Sequence, residues 1–361
     1  MEEIAPKTGG MLASVVLQAW PAILSLFLIT AFSIAIAAVI LDVSREDQEA
    51  EPPAGCRRLG LPPGKSHLRD QYNQKYAKGS EKDKSSWKVK ALSIYPVKSC
   101  YPVELEHGEV IPAGMKYDRQ FTFAQLISSV AKDGSWEITH QWSFLTQRQS
   151  PHLTNITTEL WVPDPSSPTY SSNAEWVKSE GCIVISFPYM EDKLWISDRL
   201  ERLGALIRSV FTQNHLDYDG PRISFRVPFN PPSDRIKEKA YPREPMKIWN
   251  ECPEALNMGI EIPEEILAKL KYTLGISNQL TLFRVDPQRF REVYRCAPRK
   301  GQDVEYQPVV GMADAYPLHI INLASARDVA SRLPKSTVLD AIRFRANIYP
   351  AITGKRRADY P

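Results

Sequence analysis

Apolar residues crowd the start of this chain and alternate with polar ones over much of the rest. Residues 8–41 carry no charge and are densely apolar from Met11 onward. A helix needs about 20 apolar residues to cross the hydrocarbon core of a bilayer. The pattern therefore predicts an N-terminal transmembrane helix over residues 1–41. Pro21 either kinks that helix or marks where the span starts. The alternatives are a buried core helix or a cleaved signal peptide. A signal peptide would have a basic start and a shorter apolar run, whereas this chain opens on Glu2, Glu3 and Lys7. Lys7 stands alone before the run, and Arg45, Arg57 and Arg58 follow it. By the positive-inside rule the C-terminal bulk then faces the cytosol from a single-pass membrane anchor. A glycan on the sequon Asn155-Ile156-Thr157 would contradict that orientation.

Residues 42–86 are polar, hold Pro52-Pro53 and Pro62-Pro63, and show no apolar period. They predict a disordered tether. Its lysine-rich end, Lys75 to Lys88, offers a contact for anionic lipid, with a solvated linker as the simpler reading. Over residues 87–240 short alternating runs occupy 89–95, 104–110, 120–124, 136–141, 153–160 and 182–186, with turn residues between them. That spacing predicts a small barrel or sandwich. Leu200, Leu203, Leu206, Ile207 and Val210 mark one helical face. Residues 241–361 form a second region with strands at 246–249, 280–285, 318–323 and 342–349. One helix opens at Pro263 and stops before Gly275, and another runs over 324–333 up to Pro334. The fold class is α+β, mostly β.

Composition narrows this little. At 43% hydrophobic and 24% charged residues, wholesale disorder is excluded. A net charge of +3 gives no concentrated basic surplus of the kind a nucleic-acid binder shows, so no nucleic-acid partner is expected. Twenty-nine prolines favour strands and turns over a helical bundle. The five cysteines form no CxxC pair, which argues against a zinc knuckle or disulfide scaffold. The histidines show no metal-ligand spacing, and no metal ligand is assigned.

Some residues carry chemistry. On a strand over 342–349, Arg343, Arg345 and Asn347 share one face. Guanidinium forks suit a phosphate, and an amide suits a heterocycle edge. A solvated basic face is the alternative. Lys98-Ser99 follows Pro96 and presents a cation and a hydroxyl from a turn, or is a plain surface loop. Arg119 follows Asp118, with which a local ion pair is the simpler reading. Ser325 near a helix start is either a cap or part of an anion site.

Several of these lie in recognisable motifs. Tyr95-Pro96-Val97-Lys98-Ser99-Cys100, Gly114-Met115-Lys116-Tyr117-Asp118-Arg119 and Leu145-Thr146-Gln147-Arg148 resemble, in order, landmarks of the N-terminal β-barrel that accompanies MOSC domains. Ile248-Trp249, Cys252-Pro253, Met312-Ala313-Asp314-Ala315-Tyr316-Pro317-Leu318, Ala324-Ser325 and Arg343-Phe344-Arg345-Ala346-Asn347-Ile348 resemble the opening half of the MOSC domain itself. The order of motifs is similar to that of membrane-anchored enzymes of the mitochondrial amidoxime-reducing kind.

The resemblance implies a molybdenum–pterin oxidoreductase. It would remove oxygen from an N-hydroxylated small-molecule substrate, with electrons from a cytochrome and its flavin reductase. It implies the mitochondrial outer membrane or endoplasmic reticulum as location, and brings pyridoxal phosphate binding with it as a family term. It assigns the cofactor to Lys98, Ser99, Arg119, Ser325, Arg345 and Asn347. Ala346 and Ala315 stand where the family has Pro and Gly. The family's metal-ligating cysteine lies well beyond the Arg-x-Asn motif, and this sequence has no cysteine after Cys296. The resemblance thus implies a MOSC domain incomplete at its C-terminus and without catalytic residues that can be named. A cofactor or sulfur carrier without its own turnover, and a non-catalytic scaffold, are the competing readings.

Overall fold

The computed structural model describes residues 20, 21, 25–27, 29, 30, 33, 51–73, 76, 87–130, 138–189, 222–286, 289–334 and 337–352. The sheets and cavities lie in one compact unit, Pro53–Glu191 with Asp219–Pro361.

In chain order the strands begin with β1 (Cys56–Leu59), β2 (Trp87–Ile94), β3 (Val103–Leu105), β4 (Val110–Ile111) and β5 (Gly114–Met115). The long strands β6 (Phe121–Val130) and β7 (Ile138–Phe144) follow, then β8 (Thr157–Pro163). A short helix α1 (Glu175–Lys178) leads to β9 (Cys182–Pro188) and β10 (Arg222–Pro228), and α2 (Ser233–Glu238) to β11 (Arg243–Lys247) and β12 (Glu254–Asn257). Helix α3 (Glu264–Leu274) precedes β13 (Leu280–Val285), β14 (Arg291–Glu292) and β15 (Val309–Val310). Helix α4 (Leu323–Ser331) and β16 (Ile348–Ile352) complete the described elements.

Strands β11, β12, β13, β6 and β7 close into a small barrel. All its neighbours pair antiparallel except β11 with β7, which run parallel. Ala124, Phe144, Met246, Ala255, Phe283 and Val285, drawn from all five strands, form one buried cluster with Ile248 and Met312. A four-stranded sheet, β1-β8-β9-β10, and a three-stranded one, β16-β2-β3, complete the larger sheets. Strand β8 alternates half-buried and buried positions along its length, the period-2 signature of a strand with one face on the core. Helix α3 follows Pro263, buries Leu270 and Leu274, and ends where Gly275 takes a left-handed φ of 66°, a conformation that costs glycine no Cβ clash.

Several expectations need correction. Among the described residues no helix is long and apolar enough to cross a membrane. The described helical positions near the N-terminus are Trp20, Pro21, Ser25, Leu26, Phe27, Ile29, Thr30 and Ser33, and these do not make up such a helix. The transmembrane helix is therefore withdrawn from the fold class, and the single-pass membrane location with it. The rest of that run lies outside the described residues, as does the helix expected over 200–211. Among the described residues there is also one closed barrel and not one for each half of the chain. The closed barrel takes two strands from before residue 150 and three from after residue 240. Residues 51–73, within the stretch read as tether, carry β1, which pairs with β8, and Leu68, which is buried.

The expected strand at 342–349 is the correction that matters most for function. Asp340 caps a single 3₁₀ turn, Ala341–Phe344, by accepting from the Ile342 amide at 2.9 Å. Arg345 then takes a left-handed φ of 55°, and strand structure starts only at Ile348. The expected strand at 318–323 is reduced to an isolated bridge between Ile320 and Ile348.

Candidate functional site

The segment after β2 is laced to the segment before β6. The Arg119 amide donates to the Tyr95 carbonyl at 2.8 Å, the Phe121 amide to the Pro96 carbonyl at 3.0 Å, and the Lys98 amide to the Phe121 carbonyl at 2.8 Å. Asp118 turns back to accept from the Tyr95 amide at 2.7 Å. The Met312 amide then donates to the Arg119 carbonyl at 2.7 Å, so the 312–318 segment hangs from the same point. Ser99, Arg119 and Arg345 all have positive φ without being glycine. Such strain persists only where surrounding contacts hold it, and it clusters at functional sites.

Between these segments lies a cavity of about 380 Å³. Lys98, Ser99, Arg119, Arg345 and Asn347 all line it, together with Arg148, Arg343 and Asp314. Ser325 does not line it. It lies exposed in the first turn of α4, whose cap is Asn322, accepting from the Ala324 amide at 2.9 Å. Five cations against one lining carboxylate give the cavity a positive field.

Each cation is held differently. The buried Lys98 ammonium donates to the Met312 carbonyl at 2.8 Å and to Asp314. Burial pulls its pKa down to about 8, against the opposing pull of Asp314. Arg119 is ion-paired with Asp118 and donates to the Arg345 carbonyl. Burial works against the Arg119 charge, but Asp118 more than offsets it and the pKa stands above the ordinary value. Arg345 donates through Nη1 to the Cys100 carbonyl at 2.8 Å, and burial lowers its pKa. The two guanidiniums lie 4.7 and 4.2 Å from the ring centroid of Tyr95, within cation–π range. Arg148 and Arg343 are exposed.

Asn347 is fully buried and its amide is already committed. Its oxygen accepts from the His319 amide at 3.1 Å and from Arg119 at 3.3 Å, and its Nδ2 donates to the Ser93 carbonyl at 3.2 Å. It shapes the cavity wall by tying β2 to the 319 segment. Asp314 accepts from the Trp249 indole at 3.2 Å. Burial opposes its charge, but Lys98 and Trp249 hold its carboxyl below the usual range.

Residues 86–169 match the MOSC N-terminal beta barrel domain. Over this stretch the chain is similar to that domain. The stretch contains Lys98, Ser99, Arg119 and Arg148, while Asp314, Arg343, Arg345 and Asn347 lie outside the match. Proteins with that domain are generally associated with the molybdenum cofactor, and this chain contains a small β-barrel. No curated protein matches it.

Sequence reasoning missed the contributions of Arg148 and Asp314 to the cavity. The signal for both is a charged side chain inside a motif: Arg148 closes Leu145-Thr146-Gln147-Arg148, and Asp314 sits in the Met312–Leu318 run.

Among the described residues, two buried polar atoms at the cavity lack a hydrogen-bond partner: Nη2 of Arg345 and Oε1 of Gln147. Orphaned buried groups are costly, and a ligand supplies a physical reason for them. An acceptor-rich anion suits the first, and an N–H edge the second. This donor set fits the phosphate and pterin portions of a molybdenum cofactor. It includes no thiolate. The Cys100 thiol is fully buried and burial pushes its pKa up to about 12, while Cys252 and Cys296 are exposed and do not line the cavity. Among the described residues no group of three or more His, Cys, Asp or Glu side chains is arranged to hold a metal ion.

Proposed function

We propose that the cavity binds the phosphate and pterin portions of a molybdenum cofactor, in a MOSC-type protein that reduces N-hydroxylated small molecules. The observation that supports this most directly is the gathering of Lys98, Arg119, Arg148, Arg343 and Arg345 around one cavity with an unpartnered Arg345 Nη2. Arg345 and Arg119 would hold the phosphate through charge-assisted hydrogen bonds. Gln147 and Ser99 would face the heterocycle. Bound molybdenum would supply two-electron oxygen-removal chemistry. Electrons from a cytochrome and its flavin reductase belong to this reading.

A second reading is a cofactor carrier without turnover, and the absence of a lining cysteine among the described residues favours it. The test is to purify the chain from a host that makes the cofactor and to quantify released pterin by fluorescence. About one pterin per chain, lost in Arg345→Gln, supports binding, and pterin-free protein sinks it. Turnover of a simple hydroxylamine with an artificial electron donor then separates reductase from carrier.

A further inference from the structure

A second cavity of about 540 Å³ borders the start of α2 and the end of β13. Arg284 lines it and is only 3% exposed. Its guanidinium carbon lies 5.4 Å from the ring centroid of Phe121 and 5.0 Å from that of Phe229, so it is flanked by two aromatic rings. Its Nε donates to the Phe229 carbonyl and Nη1 to the Val285 carbonyl. Among the described residues its Nη2 has no hydrogen-bond acceptor, and no carboxylate forms an ion pair with it. A buried cation without a paired charge is strongly disfavoured. Burial accordingly lowers its pKa to about 10.

The rest of the lining is balanced in charge, so Arg284 supplies the cavity's positive excess. Lys178 and the exposed Arg243 join Arg284, against Glu180 and Asp286. Asp286 is the ion-pair partner of Arg243. Glu180 and then Asp286 favour the Arg284 charge through space, but burial outweighs both, and neither carboxylate forms an ion pair with the guanidinium.

We propose that this cavity is a second anion site, for the phosphate group of a small molecule, with Arg284 at its buried end and Lys178 and Arg243 at its opening. It shares no lining residue with the cavity assigned to the pterin. An oxyanion there would accept from Arg284 Nη2 and remove the unpaired charge.

Titration calorimetry of the full chain with inorganic pyrophosphate separates the two sites. The wild type should bind two equivalents. Arg148→Gln with Arg343→Gln should remove one of them. Lys178→Gln with Arg243→Gln should weaken the other by about tenfold. The latter pair avoids the buried guanidinium, so folding is preserved even where Arg284→Met unfolds the chain. A single equivalent that is insensitive to Lys178→Gln with Arg243→Gln overturns the second site and leaves the first standing. A single equivalent sensitive only to that pair supports the second site and overturns the first. No binding at all overturns both.

Discussion

The Arg119 guanidinium donates a hydrogen bond at 3.0 Å to the main-chain carbonyl of Arg345, across most of the chain. Both guanidiniums also rest on Tyr95. Two like charges sharing one ring repel, and an anion between them relieves that repulsion. Tyr95→Leu should therefore weaken pyrophosphate binding by about tenfold, as two cation–π contacts are lost. Tyr95→Phe keeps the ring and loses only the hydroxyl contacts to Tyr349 and the Ala346 carbonyl, both at 3.3 Å. Its affinity should stay near wild type. Equal losses in the two variants would falsify the role given to the ring.

Lys98 predicts a pH dependence. Its folded pKa is about 8, below its ordinary 10.5, with burial as the main cause. Below about pH 8 the ammonium is charged and strengthens anion binding. Pyrophosphate affinity should fall as pH rises through 8, and Lys98→Met should flatten that step. Stability moves the other way. The cost of burying the charge is fully present below pH 8 and is relieved as pH rises toward 10.5, because there the unfolded chain binds more protons. Relative to Lys98→Met, the wild type should gain up to about 3 kcal/mol across that window in urea unfolding. A constant difference between the two would remove Lys98 as the titrating group.

The pair of Asp118 and Arg119 is a buried one, with 3% and 14% of the side chains exposed. Asp118→Ala leaves the Arg119 charge and the Tyr95 amide without their acceptor. Stability should drop by about 3–5 kcal/mol in chemical denaturation. A loss below about 1 kcal/mol, the range of surface pairs, would place the carboxylate in water instead.

Gly114 has a φ of +113°, and a Cβ there would sit 2.2 Å from the Pro317 carbonyl oxygen. Gly114→Ala should therefore cost about 2 kcal/mol or more. It should also displace the segment that carries Asp314 and Leu318 into the cavity wall. Lower melting temperature together with weaker pyrophosphate binding is the expected pair of results. An unchanged melting temperature would show that the Pro317 segment yields freely.

Local sequence signals read some elements well. Strand β13 coincides with the apolar run at 280–285, and α3 with its Pro263 and Gly275 boundaries. Those signals act within one element. The alternation over 342–349 is real in the sequence and points to a strand through Arg345. The Asp340 cap and the left-handed Arg345 defeat it, and both depend on tertiary contacts such as Gln71 Nε2 donating to Asp340 at 3.0 Å. The cavity still receives Arg343 and Arg345, from a turn instead of one strand face. Asn347 is legible as important but not as a wall tie, since its partners Ser93 and His319 lie far from it in sequence or pair through backbone. Ser325 carries a helix-start signal, but the cap is Asn322. Buried Arg284 gives no sequence signal, because a charged residue in an apolar run is ordinarily read as a solvent-facing position.

The barrel sets an order on synthesis. Strand β6 can pair with β7 early, but its other edge belongs to β13, whose residues emerge only after the intervening sheet and α3 have been made. Until Leu280–Val285 clears the ribosome, the apolar positions Phe121 and Phe123 on β6 have no barrel partner on that side. Contacts so distant in sequence form slowly, and exposed strand edges invite pairing with other chains. Nascent chains should thus depend on chaperones up to that point, and slowing translation before residue 280 should raise the aggregated fraction.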